Sequence, residues 1–65
     1  MEITINQKPF KLPQGASINE AIEAFGAQPP FAIALNLTFV HRQRYGETFL
    51  SQGDALEIVQ PVAGG

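Results

Sequence analysis

Apolar and polar residues alternate through the first six positions, with Met1, Ile3 and Ile5 set against Glu2, Thr4 and Asn6. A period of two built on β-branched residues predicts a half-buried strand. Asn6-Gln7-Lys8-Pro9 interrupts the alternation, and Phe10 and Leu12 resume it against Lys11. Residues 1–12 therefore read as a β-hairpin, although Gln7 stands where glycine would make the strongest turn. Pro13-Gln14-Gly15 closes the second strand. In "SINEAIEAFG", residues 17–26, the period changes to that of a helix: Ile18, Ala21, Ile22 and Phe25 form one apolar stripe. Ser17 and Glu20 make an S-x-x-E capping box at its start, and Gly26 suits the left-handed conformation that closes its end.

Pro29-Pro30 forbids continuation of the helix. Residues 31–40, "FAIALNLTFV", then alternate Phe31, Ile33 and Leu35 with Ala32 and Ala34. Asn36 marks a bend, and Leu37, Phe39 and Val40 read as further extended chain. Residues 41–48 are polar apart from Tyr45 and predict an irregular connection with at most one helical turn. Phe49-Leu50 make a short apolar contact, and Ser51-Gln52-Gly53-Asp54 is a turn. "ALEIVQ", residues 55–60, is the last strand, with Leu56 and Ile58 on one face. Pro61 removes a ladder donor, so regular pairing should stop there.

The order is strand, strand, helix, strand, strand, without repeat or linker. A lone amphipathic helix must cover one face of a sheet to bury its stripe. The expected fold class is α+β: a β-grasp, ubiquitin-like arrangement with a mixed four- to five-stranded sheet and one helix packed across one face. Residues 1–60 form that domain, and residues 61–65 read as a flexible Gly-Gly tail. The pattern by itself also accommodates other small α+β folds.

Composition narrows the function. Sixty-five residues leave no room for a cleft between two domains, which argues against a self-contained enzyme. A net charge of −2 lacks the basic footprint that nucleic acid requires. With no cysteine, disulfides and thiolate metal sites are excluded. Neither a secretory signal nor a membrane-length apolar run stands out, so a soluble cytoplasmic protein is expected.

The side chains offer little catalysis. His41 is the one histidine and has no second ligand at metal spacing. Glu20 and Glu23 are accounted for by capping and solvation, and Ser17 and Ser51 by a cap and a turn. Lys8, Lys11, Arg42 and Arg44 suggest either a plain solvated surface or a small basic patch. Tyr45 anchors its loop by its ring. No catalytic residue and no metal site is expected.

The tail is different because a C-terminal carboxylate needs no neighbour to be useful. Adenylation makes it a reactive mixed anhydride, open to a persulfide sulfur or a lysine amine. Gly64 and Gly65 carry no side chains and can thread a narrow channel, with Val62 and Ala63 gripping its walls. Two glycines alone leave open the alternative of an unused, frayed end.

The rest of the chain bears on that choice. "EITINQKPF" is similar to the opening hairpin of the ThiS family, which often has Asn-Gly where Asn6-Gln7 stands here. Residues 39–65 add a V-x-R-x-x-aromatic stretch (Val40, Arg42, Tyr45), a Gly-Asp turn (Gly53, Asp54) and the terminal Gly64-Gly65. His41 replaces a proline common before the arginine. Over essentially all its residues the chain resembles the ThiS family, the sulfur carriers of thiamine biosynthesis. The resemblance implies a carrier that is not itself an enzyme and binds no cofactor. A ThiF-like adenylating enzyme, using ATP and magnesium, would activate Gly65. A sulfur-transfer enzyme would convert it to a thiocarboxylate, and a ThiG-like thiazole synthase would take the sulfur. The sheet face away from the helix would dock these partners and should keep apolar strand residues exposed. A molybdopterin synthase small-subunit-like carrier shares the body and tail, and a ubiquitin-like modifier or binding module is the further alternative.

Overall fold

The computed structural model describes residues 1–61. Five strands and one α-helix follow in the order β1 (Glu2–Ile5), β2 (Lys8–Lys11), α1 (Ile18–Phe25), β3 (Ala32–Leu35), β4 (Thr38–Val40) and β5 (Ala55–Val59). A 3₁₀ turn, Arg42–Arg44, lies between β4 and β5. The strands form one mixed sheet in the order β2-β1-β5-β3-β4, which is the expected β-grasp architecture with all five strands present.

The last strand sits at the centre of the sheet. It runs parallel to β1, pairing Thr4 with Ala55 and Ile5 with Leu56. On its other side it runs antiparallel to β3, pairing Ile33 with Ile58 and Leu35 with Leu56. Directly paired residues share a face, so Ile3, Ile5, Ile33, Leu56 and Ile58 all point towards α1. Ile18, Ala21 and Ile22 of the helix meet them, with Tyr45 and Leu50 completing the buried core. Phe25 lies at the core margin against Phe10, ring centres 6.1 Å apart.

Both hairpins turn on an asparagine. Asn6-Gln7 and Asn36-Leu37 all have positive φ, at 51°, 72°, 49° and 71°. Two consecutive positive φ values are what a two-residue type I′ hairpin requires, and asparagine tolerates them better than most residues. The first turn is therefore tighter than the sequence suggested, because Lys8 and Pro9 already belong to β2. Pro9 fits there because β2 is an edge strand, where a missing donor costs no ladder bond.

Each asparagine also extends the sheet onto β5. The Asn6 amide donates to the Leu56 carbonyl at 2.9 Å, and its side-chain Oδ1 accepts from the Ile58 amide at 2.8 Å. The Asn36 amide donates to the Ala55 carbonyl at 2.7 Å, and its Oδ1 accepts from the Ala55 amide at 2.9 Å.

Helix α1 starts with the expected capping box, in which the Ser17 amide donates to Glu20 Oε1 at 3.1 Å. It ends at Gly26, whose amide donates to the Ile22 carbonyl at 2.9 Å and whose φ of 84° turns the chain so that the Ala27 amide reaches the same carbonyl at 3.3 Å. The turn before β5 also forms as expected. Asp54 Oδ2 accepts from the Ser51 amide at 2.8 Å, and Gly53, at φ 87°, donates to the Glu2 carbonyl.

Candidate functional site

The residues assigned to the tail, Val62, Ala63, Gly64 and Gly65, lie outside the described residues. What the structure places is the root of that tail. Regular pairing ends at Val59, one residue earlier than the sequence suggested. Val59 is still paired with Ala32, but Gln60 turns its side chain aside and donates from Nε2 to the Gln28 carbonyl at 3.0 Å. The bond fastens the end of β5 to the loop between α1 and β3. Pro61 is exposed and outside any strand.

The second component is the sheet face turned away from α1. Register places Thr4, Ala32, Ala34, Phe39, Glu57 and Val59 on it. Phe39 is 59% exposed and Val59 62% exposed. Leu37, at the tip of the β3–β4 turn, is 89% exposed. Small Ala32 and Ala34 separate these side chains, so the face is shallow and, apart from Thr4 and Glu57, apolar. Leu37 lies beside the start of β5, Phe39 opposite Ala34 and Val59 at the end of β5. Three of the four exposed large apolar groups among the described residues, all but Phe49, are thus spread along one face, the disposition of an interaction surface. The face adjoins the tail root, since Val59 belongs to both.

A depression lies on this face between the two hairpin turns. Thr4, Gln7, Leu37, Ala55, Leu56 and Glu57 line about 190 Å³ of free space. Small-molecule and cofactor pockets usually occupy about 300–1,000 Å³, so the depression is too small for a nucleotide. It can accept a single long side chain.

The other candidates are distributed as their chemistry suggests. His41 is exposed and sets its ring edge-on to Phe39, centroids 4.9 Å apart. No group of three His, Asp or Glu able to hold a metal ion occurs among the described residues. Lys8 and Lys11 lie on β2, whereas Arg42 and Arg44 follow β4, at the opposite edge of the sheet. The four cations therefore do not form one patch, and the solvated-surface alternative describes them. Tyr45 does anchor its loop: it is buried and stacks on Phe31 with ring centres 6.1 Å apart. Burial pushes its phenol pKa up, partly opposed by the nearby Arg42 guanidinium. No helix among the described residues is long and apolar enough to cross a membrane.

Sequence reasoning missed Leu37 and Gln60. Leu37 read as resumed strand because it is apolar and follows an apolar run. The signal that could have corrected this is the likeness of Asn36-Leu37 to Asn6-Gln7, each an asparagine between two extended segments. For Gln60 the sequence held no signal, because its partner carbonyl belongs to a loop brought alongside only by the β3–β5 pairing.

Comparison with known proteins bears on the same body and tail. Residues 1–65 match the model of the ThiS family. Among curated protein sequences none matches significantly. Among solved structures, the chain is similar to the crystal structure of a thiamine biosynthesis protein (ThiS) from Geobacter metallireducens. Identity is 25% and the TM-score 0.82, with 100% of each chain covered. The solution structure of a thiamine biosynthesis protein from the same organism is similar to the same degree, TM-score 0.82 at 25% identity. That match covers 100% of this chain and 88% of the other.

Proposed function

The chain belongs to the ThiS family, and from that membership we propose that it is a sulfur carrier protein of thiamine biosynthesis whose working group is the carboxylate of Gly65. The family match over residues 1–65, terminal Gly64-Gly65 included, is the observation that carries this reading. A carboxylate is a poor acyl group because loss of its oxygen is unfavourable. Attack of the Gly65 carboxylate on ATP, with magnesium held by a ThiF-like adenylating partner, gives an acyl adenylate and releases pyrophosphate. The terminal sulfur of a persulfide on a sulfur-transfer enzyme then attacks the acyl carbon, and AMP leaves. Reduction of the resulting S–S bond by a thiol leaves one sulfur on the carrier as a thiocarboxylate. A ThiG-like thiazole synthase takes that sulfur into the thiazole ring.

This chain supplies no catalytic group to these steps. Its part is to present one acyl carbon and to be recognised. The absence of cysteine means it cannot hold sulfur as a persulfide of its own, so the acyl carbon is the only place for it. The open sheet face, with Phe39, Val59 and Leu37, docks the partners beside the tail root. Adenylation, sulfur loading and delivery can then reuse one surface, since the tail leaves from the edge of that surface in each complex.

Intact mass spectrometry tests the proposal. After incubation with the adenylating enzyme, ATP and a sulfur donor, the expected product has one oxygen of the terminus replaced by sulfur. No mass change, or only isopeptide adducts on lysines, would sink it. A variant with one residue added after Gly65 should keep its fold and lose all sulfur loading, which separates a carrier from a pure binding module.

A further inference from the structure

The depression between the hairpin turns is lined by a carboxylate that reaches solvent and makes no hydrogen bond with the described residues. Glu57 lies in the middle of the open face, directly beside Ala34 and two residues from Ala55 along its own strand. Both neighbours are too small to cover it. It is half-buried, and none of the side-chain hydrogen bonds among the described residues reaches its oxygens. The other carboxylate at this end of β5, Asp54, is already engaged by the Ser51 amide and by Asn36 Nδ2. Around Glu57 stand Thr4 and Gln7 on one side and the exposed Leu37 on the other. Leu37 has a φ of 71°, a conformation that costs a branched, non-glycine residue free energy. An apolar side chain held outward at such a cost is a pointer to function.

We propose that this depression is a socket for one arginine side chain on the adenylating partner; the inference rests on the docking reading given above. The shape and chemistry agree. About 190 Å³ takes one long side chain and no more. Leu37 and Ala55 form an apolar wall for a methylene stem, and Glu57, with the side-chain oxygens of Thr4 and Gln7, receives the head. A guanidinium suits this set better than an ammonium because its planar fork of five donors can engage a carboxylate with two bonds and still reach further acceptors. Arginine is also enriched at the centres of protein interfaces, where lysine is depleted. The adenylating enzyme is the partner whose chemistry supplies such a group. Its site must attract a triphosphate and a carboxylate tail, so positive potential surrounds it, and a carboxylate on the carrier's docking face is steered towards it.

The test is the steady-state rate of Gly65 adenylation, followed by ATP–pyrophosphate exchange, as carrier concentration and salt are varied. The carriers compared are the wild type, Glu57→Gln, Leu37→Ala and Phe39→Ala. Glu57→Gln keeps size and backbone, and its fold is checked by thermal unfolding. It should raise the KM for carrier about tenfold with kcat unchanged, and flatten the salt dependence of kcat/KM. Leu37→Ala should raise KM severalfold and keep the salt dependence, because the wall is lost and the charge remains. If Phe39→Ala raises KM while Glu57→Gln stays within about twofold of the wild type, the docking face stands and the socket is overturned. A rise in KM for Glu57→Gln with undiminished salt dependence also overturns it. If none of the variants changes KM, the docking reading itself fails and the socket with it.

Discussion

Asn6 and Asn36 bracket the last strand from opposite sides, each taking one of its amides on a side-chain oxygen and giving its own amide to one of its carbonyls. Two turns thus act as extra rungs of the ladder on β5, one beyond the end of β1 and one beyond the end of β3. The central strand is held along its length although its direct pairing with β1 covers only Thr4–Ala55 and Ile5–Leu56.

Replacing either asparagine by alanine removes a side-chain acceptor from β5 and puts a less tolerant residue at positive φ. Each substitution should lower stability by about 1–2 kcal/mol in urea unfolding. Asparagine to glycine restores the backbone conformation but not the bond, so the glycine variants should fall between alanine and wild type. Equal loss for glycine and alanine would show that the turn conformation contributes nothing.

Leu37 is expected to set stability against recognition. Leu37→Gly makes the favoured Asn-Gly turn and removes an unfavourable conformation, a gain of up to about 1 kcal/mol. The same change deletes the apolar knob and should weaken partner binding. Thermal unfolding and adenylation kinetics on one preparation would show the opposite movements; a variant that is both less stable and fully active contradicts the assignment.

Neighbouring residues of β5 should answer differently. Leu56 is fully buried and Val59 is exposed. Leu56→Ala should cost about 2–5 kcal/mol, a large part of the stability of a domain this small. Val59→Ala should change stability by less than about 0.5 kcal/mol and show its effect in partner binding instead. Circular dichroism of both variants distinguishes the two.

Tyr45 gives stability a dependence on high pH. Its folded pKa is raised above its unfolded value because burial disfavours the phenolate, with Arg42 opposing. A raised folded pKa means the folded state holds the proton more tightly. The contribution is therefore complete below the unfolded pKa of about 10 and is lost as pH rises through the folded pKa. It is the only tyrosine in the chain, and there is no tryptophan, so tyrosinate absorbance reports this residue alone. Unfolding free energy should fall above pH 10 in the wild type and less steeply in Tyr45→Phe.

Much of the fold was legible because local and global preferences agree. The helix carried its stripe, its cap pair Ser17 and Glu20 and its terminal Gly26 within ten residues, and all three appear as written. The strands were visible by alternation. What alternation cannot show is which strands pair, because β1 and β5 lie side by side although some fifty residues separate them in the chain. The exposed face was foreseen in kind, yet its key members were not. Phe39 alternates like a core residue, and only its register opposite Ala34 places it outward. Leu37 looked like strand because apolar character at a turn runs against the usual pattern. That breach of local preference falls on the face proposed to dock partners, where selection for recognition would override selection for stability.

The central place of β5 has a bearing on how the protein is made. Translation delivers β1 to β4 before it delivers residues 55–59, and until then the sheet has a gap between β1 and β3. Neither hairpin can shelter its apolar side without the strand that joins them, and a two-stranded hairpin is marginal alone. The open face is thus complete only once the whole of β5 is free to enter the sheet. A chain that stops before β5 lacks Glu57 and Val59, two members of that face, and the strand that joins its two hairpins.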